Sequence, residues 1–233
     1  MNLDILVFGA HPDDVELGCG GMIIKEVLRG SKVGIIDLTR GELGTRGTVK
    51  IRDEETKYAT EIMGVGVREN MNFKDGFFKD DYSHKLALIK KIRKYQPDIV
   101  VTNAPSDRHP DHSRASEITV NACFLSGLEK IDTGQEVWRP RAIYHYIQFN
   151  NRPADLVVDI SENMELKLKA VKAYKSQFYN PDNNETETII SKKSFLDSVV
   201  YRAKDLGRQS NCEYAEGYIS HQLNKVNSLI DIK

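Results

Sequence analysis

Short, unbroken apolar runs alternate with helix-period segments through the first two-thirds of the chain, and few folds accept that pattern. Residues 3–9 (LDILVFG), 33–38 (VGIIDL) and 98–102 (DIVVT) are rich in β-branched and aliphatic residues, with a weaker run at 67–73. Between and after them, residues 21–28, 52–63, 86–95 and 113–125 carry helical spacing; in the third, Leu86, Ile89 and Ile92 mark one face and Arg93 the other. A strand without polar alternation has to be covered on both sides, which asks for a parallel sheet between helical layers. The predicted fold is therefore a doubly wound, mostly parallel, Rossmann-like α/β sheet with helices on both faces. At 233 residues the expectation is one domain spanning 1–233. Past residue 140 the pattern loosens. Residues 142–149 and 156–160 read as further strands, 162–176 and 191–206 as helices, and the wholly polar 180–188 (NPDNNETET) as an exposed loop.

Charge and cysteine content narrow the function classes. Lys plus Arg is 33 and Asp plus Glu is 34, a formal charge of −1, without the basic excess that general nucleic-acid binding needs. Three cysteines without a C-x-x-C pair argue for a reducing compartment. No apolar run approaches the ~20 residues of a membrane span, and the N-terminus lacks the pattern of a signal peptide. The expectation is a cytoplasmic protein with neither nucleic acid nor membrane as partner, assembled as a homo-oligomer.

Two short segments stand apart, each directly after a predicted strand: AHPDD at 10–14 and HPDH at 109–112. In open α/β sheets ligands bind beyond the carboxyl ends of the strands, where the strand order reverses. In the order 3-2-1-4 the first and fourth strands are neighbours there, so the segments would meet. Together they supply His11, His109 and His112 with Asp13, Asp14 and Asp111. Imidazole and carboxylate are the donors that Zn²⁺ and similar ions take. Two His and one carboxylate leave a coordination position open, as a hydrolytic site requires, and the remaining groups are free for proton transfer. Any one of these residues alone reads as a loop histidine or a helix cap; six ionisable groups in two tetrapeptide-sized clusters do not.

A dinucleotide site is the competing reading, because Gly9 and Gly18 to Gly21 follow the first strand. The order does not match G-x-G-x-x-G, and Asp13, Asp14 and Glu16 would repel a pyrophosphate. The glycine-rich 39–49 loop (TRGELGTRGTV) carries Arg40 and Arg46, with Arg52 just after it and Arg108 beside His109. Arginine pairs bidentately with carboxylate or phosphate, so a small anionic substrate is expected, with Arg52 the foremost contact and Arg108 a second.

With these motifs, with DLTRGELGTRGT…IRDEE and with YAEGY near Tyr214, most of the chain resembles the PIG-L/LmbE-like family of zinc-dependent N-acetylglucosamine deacetylases. The surrounding similarity runs toward the bacillithiol-pathway members, which implies N-acetylglucosaminyl-malate, an anionic amino-sugar conjugate, as substrate. By the resemblance, one Zn²⁺ per chain is held by His11, Asp14 and His112. Asp13 is then the general base, and His109 faces the oxyanion with Asp111 orienting its ring. Arg52 matches a position that binds the anionic aglycone in similar enzymes. A chitooligosaccharide or inositol conjugate is the alternative substrate, and a non-catalytic metal or sugar binder the alternative class. Some relatives place a Tyr shortly before the second motif; residues 103–108 (NAPSDR) have none.

Overall fold

The computed structural model describes residues 2–228 and 230. Strand β1 (Ile5–Gly9) leads to helix α1 (Asp14–Leu28), β2 (Val33–Thr39) to α2 (Val49–Met63), β3 (Val67–Phe73) to α3 (Tyr82–Tyr95), and β4 (Ile99–Asn103) to α4 (Pro110–Leu125). The chain continues through β5 (Ala142–Tyr146), β6 (Leu156–Asp159), α5 (Met164–Ala173), α6 (Lys193–Ser210) and β7 (Ala215–Ser220). The seven strands form one sheet in the order β3-β2-β1-β4-β5-β7-β6. β1 to β5 are parallel, with Val7 level with Ile35 on one side and Val101 on the other. β7 runs antiparallel to both of its neighbours.

The double cover follows from the residues. In β1, Leu6 and Phe8 point into a core shared with Leu88, Ile89 and Ile92 of α3 and with Ile118 of α4. Ile5 and Val7 point the other way, against Cys19 and Ile23 of α1. Period-2 alternation here separates two apolar faces rather than an apolar from a polar one.

Helix α1 begins seven residues before the spacing indicated, because its first turns carry Gly18, Gly20 and Gly21, which are poor helix formers. Packing explains two of them. A Cβ on Gly18 would lie 2.2 Å from the Tyr146 ring, and one on Gly21 would lie 2.7 Å from Ile160. Arg93 is not on a solvated face. It is buried, and its guanidinium donates to the carbonyls of Ser126, Leu128 and Ile131. Strand β7 had no apolar run to announce it, since AEGYIS is broken by Glu216 and Gly217.

Candidate active site

The polar centre is assembled at the carboxyl ends of the five parallel strands. His11, Asp13 and Asp14 follow β1; Asp75 follows β3; Asp107, His109, Asp111 and His112 follow β4; Gln148 follows β5. Asn103, the last residue of β4, ties the two motif loops together. Its Oδ1 accepts from Ala10 N at 3.0 Å, and its Nδ2 donates to Asp14 Oδ2 at 3.2 Å. Pro110 fills the first turn of α4 and His109 caps it, with Nδ1 accepting from Asp111 N at 3.2 Å.

The structure brings His11, Asp14 and His112 into contact. Asp14 Oδ1 is 3.1 Å from His112 Nε2, and Asp14 Oδ2 is 3.5 Å from His11 Nδ1. The other nitrogen of each ring is held by a carboxylate. His11 Nε2 is 2.9 Å from Asp75 Oδ1, and His112 Nδ1 is 2.8 Å from Asp107 Oδ2. Imidazoles that ligate metals are held in this way by an outer carboxylate, which fixes ring orientation and raises basicity. Ring nitrogens of His11, His109 and His112 also lie within 4.8 Å of one another, as do the donor atoms of His11, Asp75 and Asp111.

The electrostatics are those of a site shaped for a cation. Burial opposes a charge on His11, but hydrogen bonds to Asp111, Asp14 and Asp75 outweigh it and hold its pKa well above the ordinary histidine value. Burial likewise opposes His112, and Asp14 and Asp107 overcome it, raising its pKa to about 9. Asp14 resists its own burial through the same two histidines and stays well below the usual carboxylate range. Buried carboxylates thus draw protons onto two imidazoles that a divalent ion would displace. His11, Asp14 and His112 could offer donor atoms to such an ion, as could His11 with His109 and His112 or with Asp75 and Asp111.

Asp13 differs from its neighbour. It adopts φ 118°, a conformation that L side chains rarely take and that costs roughly 1–3 kcal/mol, so the surroundings must impose it. Its Oδ2 accepts from Arg52 Nη1 at 3.0 Å, and the same Nη1 donates to Pro12 O at 2.7 Å. Burial pushes the Asp13 pKa up, Arg52 pulls it down and Asp14 pushes it up again, leaving it raised to about 7. Arg52 is therefore not an unengaged anion receptor: it is buried and its Nη1 is committed to the Asp13 loop.

Asp111 is not paired with the His109 ring. Its carboxylate accepts from Gly76 N at 2.7 Å, binds Arg114 and lies 3.5 Å from His11 Nε2. His109 is half-buried, and burial together with the charged His11 and His112 holds its pKa below the ordinary value. Arg108 is exposed and lies 4.7 Å from the centre of the Phe149 ring, with no ion-pair partner among the described residues. His11, Asp13, His109, His112, Arg52 and Arg108 all line one cleft of about 450 Å³, and no tyrosine does so among the described residues. Asp75 and Asp107 had only faint sequence signals: an Asp-Gly turn and an acid two residues before the second motif.

Sheet and site together define an α/β enzyme whose polar centre sits beyond the carboxyl ends of its parallel strands. More narrowly, the chain belongs to the PIG-L family, whose model, described as GlcNAc-PI de-N-acetylase, matches residues 6–123. It is 31% identical over 186 residues to the diacetylchitobiose deacetylase of Thermococcus kodakarensis, covering 75% of this chain and 70% of that one. A probable N-acetyl-alpha-D-glucosaminyl L-malate deacetylase 2 of Bacillus anthracis is 25% identical over 224 residues, covering 88% and 92%. The crystal structure of a conserved protein from Thermus thermophilus superposes with a TM-score of 0.88 at 33% identity, covering 97% and 98%. The expected fold class and family are thus borne out, and the protein is an enzyme of deacetylase type. No described helix is long and apolar enough to cross a membrane.

Proposed function

We propose that the protein is a zinc-dependent hydrolase that removes the acetyl group from an N-acetylglucosaminide, with N-acetylglucosaminyl-malate as substrate. The observation that carries the reading is the division of labour between adjacent aspartates: Asp14 is engaged by both histidines, while Asp13 lies in the cleft with one oxygen on Arg52. A divalent ion held by His11, Asp14 and His112 would acidify water and polarise the acetamide carbonyl.

The remaining work falls to the chain. Asp13 accepts the proton of the water that attacks the carbonyl carbon. A pKa raised to about 7 suits a carboxylate that must take a proton and hand it on near neutral pH. In neutral His109, Nδ1 is occupied as an acceptor by Asp111 N, so the ring proton sits on Nε2, available to the developing oxyanion. The C–N bond then breaks, the amine takes the proton from Asp13, and acetate leaves. Arg52 holds Asp13 in its strained conformation. Arg108, without an ion-pair partner among the described residues and stacked on Phe149, is the cleft cation available to an anionic aglycone.

The malate reading is supported by likeness to the Bacillus anthracis relative along nearly the whole of both chains. A neutral chitooligosaccharide is the second reading, favoured by the higher identity to the diacetylchitobiose deacetylase and by the engagement of Arg52. Acetate release from N-acetylglucosaminyl-malate, diacetylchitobiose and N-acetylglucosamine decides between them. The highest kcat/KM is expected on the malate conjugate, with a marked loss in Arg108→Gln on that substrate alone. Faster turnover of diacetylchitobiose would overturn the malate assignment, and no acetate from any of the three would overturn the deacetylase reading.

A further inference from the structure

A second cleft, of about 1020 Å³, opens between residues 147–157 and α6. Phe149 lines both clefts and so lies between them. The second cleft holds two arginines, Arg152 and Arg202, whose guanidinium groups make no hydrogen bond or ion pair with any described residue. Arg152 is exposed and Arg202 is half-buried. Burial lowers the pKa of Arg202, opposed only by the more distant charges of Asp107 and Glu216.

Every acid near these arginines is already engaged. Asp107 accepts from His112 Nδ1 and from Asn150 N, each at 2.8 Å. Glu216 accepts from Gly21 N and Met22 N at 2.8 Å and pairs with Lys167 at 2.5 Å. Within the cleft, Asp155 accepts from Ser220 N at 2.8 Å, and Asp205 pairs with Arg208 at 2.9 Å. An unpaired guanidinium in partial burial is costly unless something compensates it, and its planar fork fits carboxylate or phosphate oxygens. The space far exceeds that of a bare ion, and Tyr201, which is 67% exposed, offers a flat face on the same helix.

We propose that this second cleft is an anion site, in which Arg202 and Arg152 take up the carboxylate or phosphate group of a small organic molecule. The site is separate from the acetamide chemistry beyond Phe149 and does not depend on the deacetylase reading.

Isothermal titration of the full-length, metal-loaded protein tests this directly. Inorganic phosphate and malonate are separate probes, each run at constant ionic strength against chloride; the stronger binder identifies the preferred oxyanion. Saturable binding is expected, weakened at least about tenfold in Arg202→Gln, as loss of a charged hydrogen bond implies. A smaller loss is expected in Arg152→Gln, and any separate binding in the cleft of Arg108 is removed by Arg108→Gln and kept by both second-cleft variants. The proposal is overturned by no saturable binding of either probe, by equal affinity in the wild type and both cleft variants, or by loss confined to Arg108→Gln. Should circular dichroism show that Arg202→Gln does not fold, the exposed Arg152→Gln decides: weakened binding supports the site, and unchanged binding overturns it.

Discussion

Asp75 lies 64 residues from His11, outside both motifs, yet its contact with that ring predicts a supporting role in metal affinity. Its carboxylate serves two donors at once: Oδ1 meets His11 Nε2 at 2.9 Å, and Oδ2 accepts from Leu43 N at 3.0 Å. An asparagine cannot reproduce this, because its amide has one acceptor oxygen while its nitrogen only donates. In Asp75→Asn the NH₂ must face either the imidazole N–H or the Leu43 N–H. One donor is left unsatisfied, and the charge that raises the basicity of His11 is gone. Loss of an outer-shell carboxylate costs typically ~10- to 100-fold in metal affinity, about 1.4–2.7 kcal/mol. The assay is zinc competition against a chromophoric chelator, with protein-bound zinc checked by elemental analysis. Unchanged affinity in Asp75→Asn would refute the supporting role. A loss far beyond 100-fold would instead make Asp75 a direct ligand, through the alternative group of His11, Asp75 and Asp111. Asp107 is built the same way, bridging His112 Nδ1 and Asn150 N, so Asp107→Asn should fall in the same range.

Asp13→Asn should keep its zinc and lose ~10²- to 10⁴-fold in kcat, the usual contribution of a positioned base; near-native turnover at full zinc content would assign the base elsewhere. Arg52→Ala should lose roughly 10- to 100-fold in kcat/KM on charged and neutral N-acetylglucosaminides alike, since its charged hydrogen bond goes to Asp13. A loss confined to the malate conjugate would restore Arg52 as the aglycone contact. At the far edge of the sheet, burial raises the Glu69 pKa, but hydrogen bonds from Lys91, Lys94 and Tyr95 prevail and lower it from 4.5 to about 2. A depressed folded-state pKa stabilises above the unfolded value and loses that contribution as pH falls through this window. Glu69→Gln should therefore be less stable at pH 7 by no more than about 1 kcal/mol, given the exposure of the cluster. Its deficit in thermal melts should shrink as the pH drops from 4.5 toward about 2; a deficit independent of pH would contradict the assignment.

What could be read in advance depended on whether a residue's role is local. The parallel strands announced themselves because covering both faces leaves no polar alternation, and Leu6 with Phe8 against Ile5 with Val7 is that arrangement in three dimensions. The HPDD and HPDH loops were legible because their donors come as dense clusters at strand ends. β7 was not, because its Glu216 and Gly217 answer to distant partners: Glu216 to the α1 amides and Lys167, and Gly217 to close packing against Ala154 and Leu206. Arg93 was misjudged for a related reason, and the engagement of Arg52 with Asp13 was equally hidden. A sequence shows a cation but not the carbonyls or carboxylate it will meet, so a structural arginine and a substrate-facing one look alike until the loops are placed. Asp75 and Asp107 show the same limit most sharply. Each is an ordinary loop acid in the chain, and only the sheet order β3-β2-β1-β4 carries the loops after β3 and β4 to either side of His11. The candidate ligands are written in the motifs, whereas the carboxylates on their outer ring nitrogens are supplied by topology.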